Sequence, residues 1–130
     1  MRYMLDTDIA SYLVRGDHPE VTAKFTELYD SCVMSSITMA ELMYGVRKRN
    51  NRALTEKVQA LCNLVSVIPW SDEAANTYAN LRVELENAGT PIGNMDMLIA
   101  ASAIAEDALL VTNNTAHFSK VKSLKLTSWC

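Results

Sequence analysis

Short apolar runs alternate along the chain with longer segments whose apolar residues recur at helical spacing. "YML" at residues 3–5 reads as a buried strand, and residues 9–14 read as a helix stopped by Gly16. Residues 19–29 read as a helix with Pro19 in its first turn, where a missing N–H costs nothing. "CVMSS" is a second buried strand. Residues 38–48 follow as a helix with Met39, Leu42, Met43 and Val46 on one face, and residues 51–64 continue helical. "VSVIP" is a third strand, closed by Pro69. Residues 71–87 form a long helix with Ser71 at its N-cap and Gly89 as its stop. Residues 95–105 are helical and apolar on nearly every side, which predicts burial. "ALLVT" is a fourth strand and "LKLTSW" a short fifth. This alternation predicts an α/β/α sandwich with a central, mainly parallel sheet of four to five strands covered on both faces. No repeat, low-complexity tract or linker interrupts the pattern, so residues 1–130 are expected to form a single domain.

In such sheets, sites form outside the carboxyl ends of the strands. Asp6 ends the first strand, and Glu41 lies in the first turn of the helix after the second. Asp96 opens the buried helix that runs directly into the fourth strand, so its start falls beside that strand's far end. Each acid has an ordinary explanation: Asp6 as a helix cap, Thr38 and Glu41 as a T-x-x-E capping box, Asp96 as an acid favoured by the helix dipole. Their convergence is harder to explain that way. Two carboxylates ~6 Å apart at an effective dielectric of ~20 repel by roughly 3 kcal/mol. Three together force one to stay protonated unless a cation lies among them. With no His or Cys partner, the oxygen set suits a hard ion, Mg²⁺ or alternatively Mn²⁺.

Composition narrows the setting. The 49% apolar and 21% charged content is ordinary for a globular domain, and no apolar run reaches the ~20 residues needed to cross a membrane. Asp6 and Asp8 fall where an export signal needs an apolar core, and three unpaired cysteines argue against a disulfide framework, so the cytoplasm is expected. The net charge of −3 is not that of a general nucleic-acid binder, although "VRKRNNR" gathers Arg47, Lys48, Arg49 and Arg52.

The blocks "YMLDTDIASYL", "SSITMAELMYG", "GTPIGNMDMLIAASA" and "LLVTNN…F" resemble, in order and spacing, the PIN domain, and more closely the VapC toxins of type II toxin–antitoxin pairs. The resemblance covers essentially the whole chain. It implies a PIN-like fold and a metal-dependent ribonuclease neutralised by a VapB-type antitoxin, with operator DNA met only through the antitoxin complex. It also implies a homodimer. By the matched blocks, Asp6, Glu41 and Asp96 correspond to the family's metal-binding acids, with Asp8 in support. The chain departs from the pattern after the fourth strand. Where many PIN domains carry a fourth acid, "TNNTAHF" offers Asn113, Asn114 and His117. Asn114, with Thr112 as hydroxyl support, is the favoured substitute, and His117 is a further candidate with plain surface as its competing place. The family includes toxins that cut initiator tRNA and others that cut ribosomal RNA. The resemblance is nearest to enterobacterial-type members, which makes tRNA the expected substrate.

His18 and His117 are the only histidines and nothing pairs them for acid–base cleavage through a 2′-hydroxyl. Hydrolysis by metal-activated water needs no such pair, and a 5′-phosphate and a 3′-hydroxyl are the expected products. RNA over an acidic pocket needs basic residues at the rim, and Arg15, Arg47, Lys48, Arg49 and Lys120 are the candidates. Tyr12, Met43, Tyr44 and Trp70 are candidates to receive an antitoxin segment, with the core as the competing place for Met43. "DTDIA" also resembles the aspartyl-nucleophile phosphatase signature, with Asp6 as the phosphorylated residue and Asp8 as its acid/base. Ala10 stands there where Thr or Val is expected. A PIN-like module that only binds partners is the non-enzymatic alternative.

Overall fold

The structure, a computed structural model, describes residues 1–130. Its sheet is built outward from β1 (Tyr3–Leu5), which has β2 (Cys32–Ser35) on one side and β4 (Leu109–Val111) on the other. β3 (Ser66–Ile68) and β5 (Leu126–Thr127) complete the order β3-β2-β1-β4-β5, and every pairing is parallel. All five strands therefore end at one edge. The chain reverses its direction of travel across the sheet beside β1, and the crevice between β1 and β4 is the switch point where parallel sheets open to ligands.

Period-2 alternation divides the core. Met4, Val33 and Leu110 face one side, where they pack against α5 (Asp72–Asn87), α6 (Asn94–Ala105) and α7 (Thr115–Phe118). Leu5, Met34 and Val111 face the other, under α1 (Thr7–Arg15), α2 (Pro19–Leu28), α3 (Ser36–Arg49) and α4 (Arg52–Leu64). The three layers match the sequence expectation. As expected, α6 is buried nearly all round, with Met97 and the run from Ile99 to Ala103 inside. No helix is long and apolar enough to cross a membrane.

The helix starts differ from the expectation, and the reason is capping. α1 begins at Thr7, because Asp6 has extended backbone and its Oδ1 accepts the Ile9 N–H at 2.9 Å. It ends where Gly16 turns left-handed (φ 72°) and returns its N–H to the Tyr12 carbonyl. α3 begins at Ser36, not at residue 38, because Ser35 is the cap and its Oγ accepts from the Ile37 N–H. The expected Thr38–Glu41 capping box therefore does not form. Thr38 is fully buried with its hydroxyl unpartnered, and Glu41 bonds elsewhere. Ser35 Oγ also lies 2.9 Å from Ser102 Oγ on α6. One buried hydroxyl thus ties together the two helices that carry Glu41 and Asp96. The turn Tyr29–Ser31 is a separate 3-10 segment, and α7 is an element the sequence pattern did not announce.

Candidate active site at the carboxyl edge of the sheet

Asp6 lies at the switch point. Its backbone N–H donates to the Val111 carbonyl of β4, and the residue as a whole is 4% exposed. Burial pushes its carboxyl up from the ordinary 3.8 to about 6. The Thr112 hydroxyl and the Ile9 N–H favour the charged form, while the negative charges of Asp8 and Asp96 oppose it further. Asp6 thus caps α1 and is also the buried member of an acidic group, so the two readings of this residue are compatible.

Asp96 stands in the first turn of α6, and its Oδ2 lies 3.0 Å from His117 Nε2. Glu41 approaches from α3. Its Oε1 accepts from the Thr7 hydroxyl at 2.5 Å, so Glu41 is held beside the residue that separates Asp6 from Asp8. Asp8 is exposed, and with Thr7, Ser11 and Glu41 it lines a cleft between α1, α3 and α4. Thr112 is fully buried, and its Oγ1 accepts the Asn114 N–H at 3.0 Å. The Asn113 amide donates to the Tyr12 hydroxyl, and the Asn114 side chain is exposed with no capping bond.

The structure thus brings Asp8 and Asp96 each within electrostatic reach of Asp6 and sets Glu41 in the adjoining cleft, linked through Thr7. No three of the Asp, Glu, His and Cys side chains are gathered closely enough to cage an ion as they stand. The donor chemistry nevertheless fits a hard divalent cation. A carboxylate whose charge is disfavoured first by burial and then by two like charges is the group such an ion would relieve, and the acids offer oxygen donors.

Of the five rim cations, Arg15 and Arg49 line the cleft with the acids. Arg15 also bonds Asp17 and Ser11 and lies over the Tyr12 ring. Arg47 and Lys48 are exposed farther along α3, with the Lys48 ammonium over Tyr44. Lys120 lines a different groove, between the end of α5 and the segment leading to β5. Among the candidate docking residues, Met43 is core at 8% exposure. The Trp70 indole N–H donates to the Leu98 carbonyl, Tyr12 stacks on His18, and Tyr44 is exposed. Sequence reasoning missed Thr7 as the partner of Glu41 and His117 as the partner of Asp96. The signals were the hydroxyl inside "DTD" and the anchoring Phe118 directly after His117.

A parallel sheet in this order, with acids at its switch point, places the site where doubly wound sheets bind ligands, and the relatives name the family. The chain belongs to the PIN domain family, whose model matches residues 3–124. Its relatives place it in the VapC group. It is 40% identical to Ribonuclease VapC2 of Rickettsia felis, over 99% of this chain and 98% of that protein. It is 29% identical to the tRNA(fMet)-specific endonuclease VapC of Shigella flexneri, again over 99% and 98%. Among solved structures it resembles VapBC2 from Rickettsia felis bound to a DNA fragment from their promoter. The TM-score is 0.94 and the identity 37%, covering all of both chains. This membership sets aside the aspartyl-phosphatase reading.

Proposed function

We propose that the chain is a divalent-metal-dependent endoribonuclease toxin that cuts tRNA, initiator tRNA in particular. The observation that carries the reading is the delivery of carboxylates from three distant segments to one edge of the sheet, next to a cleft that also holds two arginines. Asp6 and Asp96, with Glu41, are the residues that would hold Mg²⁺ or Mn²⁺, which when bound supplies an acidified water and offsets charge on the phosphoryl oxygens. Glu41, held by the Thr7 hydroxyl, would orient that water and take up its proton on its carboxylate. The Thr112 hydroxyl favours the charged form of Asp6. Asp8 stands in the cleft beside Glu41, and the Asn113 amide donates to the Tyr12 hydroxyl nearby. Arg15 and Arg49 draw the phosphodiester backbone over the acids.

A VapB-type antitoxin is the restraining partner, as the VapBC assemblies of the relatives suggest, and operator DNA would be met only through that complex. The apolar wall of the cleft, formed by Val14, Leu42, Val46, Leu54 and Val58, suits an antitoxin segment whose basic group meets Asp8 and Glu41. Self-association as a homodimer and a cytoplasmic location belong to the same reading.

Purified chain incubated with initiator tRNA and Mg²⁺ is expected to cut it, and chelation is expected to stop the reaction. Cleavage that persists after exhaustive chelation would remove the metal from the account, and failure to cut any tRNA would remove the substrate. The rim is tested separately. Arg49→Glu should weaken binding of RNA to the protein several-fold and lower the slope of log affinity against log salt by about 1–2. An unchanged slope in filter-binding measurements would take Arg49 out of the RNA path.

A further inference from the structure

Where a fourth carboxylate is missing after β4, an imidazole stands against Asp96. His117 Nε2 is 3.0 Å from Asp96 Oδ2, and the His117 side chain is 25% exposed. The ring is fixed by its neighbour. Phe118 is buried at 2%, and the two rings meet edge to face with centroids 5.5 Å apart. The short helix that carries both is closed by backbone bonds from Phe118 to Asn114 and from Ser119 to Thr115. Asp96 is the looser partner. Its side chain is 42% exposed, and His117 is the side chain that holds it. We propose that His117 is a positioning residue for Asp96, donating from Nε2 to Oδ2 so that the carboxylate would be held in one orientation for a cation. The proposal rests on the metal-dependent reading above. Partners that hydrogen-bond a ligating carboxylate set its orientation, and their loss typically weakens metal binding about 10–100-fold.

The test is Mn²⁺ titration calorimetry on the full chain without RNA, for the unsubstituted protein and for His117→Ala, His117→Gln and His117→Asn. A Gln amide nitrogen reaches close to the place of Nε2, and that of Asn falls short. Ala and Asn are expected to weaken Mn²⁺ binding about 10–100-fold, and Gln to restore it to within about threefold. In cleavage assays the metal concentration for half-maximal rate should rise by the same factor, with the KM for RNA unchanged. Melting temperatures without metal should stay together, because His117 is a surface-side contact. Unaltered Mn²⁺ affinity in His117→Ala, or equal rescue by Asn and Gln, would overturn the assignment while leaving the metal reading intact. Absence of Mn²⁺ binding by the unsubstituted protein would overturn that reading and this one with it.

Discussion

Asp6→Asn is expected to abolish RNA cleavage and to make the protein more stable at neutral pH. The stability half follows from the raised carboxyl. Between its ordinary 3.8 and its folded value of about 6, the folded chain binds more protons at Asp6 than the unfolded chain does. Stability therefore falls as pH rises through that window, and the full cost is present above it. At about 1.4 kcal/mol per pH unit, the cost approaches roughly 3 kcal/mol at pH 7.5. Asn removes the charge and keeps an oxygen for the Ile9 N–H, so the helix cap survives. A gain of about 1–3 kcal/mol is expected, roughly 4–12 °C in Tm without divalent metal. The gain should vanish near pH 4, where the native carboxyl is already protonated. The activity half follows from charge: an amide holds a divalent ion weakly, and a loss of about 10²–10³-fold or more is expected. Thermal melts at pH 4 and pH 7.5 beside single-turnover cleavage check both halves. A substitution that destabilised the fold equally at both pH values would mean that Asp6 serves the structure alone.

The second large effect is expected at Phe118. Its ring is buried in the cluster with Met4, Leu110 and the small residues of α6. Phe118→Ala should cost about 3–5 kcal/mol, which lowers Tm by roughly 12–20 °C. The same ring anchors α7, which positions Asn114 and His117. Cleavage measured well below the new Tm should therefore fall by more than the folded fraction does. Phe118→Leu keeps most of the volume and should retain most of both. Activity of Phe118→Ala that tracked only its folded fraction would separate α7 from the site.

The sheet and its layers were readable in the sequence because the signals are local. Short apolar runs such as "YML" and "LLV", closed by Asp6 and by Thr112, suit buried strands between longer helical segments, and the apolar circumference of α6 left it little solvent face. The edge location of Asp6, Glu41 and Asp96 followed from strand direction. What the sequence did not disclose depends on which side chain wins a partner. Thr38 and Ser35 are both able to cap, and Ser35 wins because it ends β2 and also reaches Ser102 of α6. Glu41 is drawn to Thr7, and His117 to Asp96 across 21 positions, contacts that no spacing rule encodes. Lys120 lay near the site in sequence and yet turns toward α5, since the chain has already left the edge after α7.

The most direct measurement of the central claim is the chemistry of the RNA ends left by the purified chain, with and without divalent metal. Metal-dependent hydrolysis by the acids of the sheet edge predicts a 5′-phosphate and a 3′-hydroxyl, formed only when Mg²⁺ or Mn²⁺ is supplied and not by Asp6→Asn. A 2′,3′-cyclic phosphate beside a 5′-hydroxyl, produced in the presence of chelator, would contradict it.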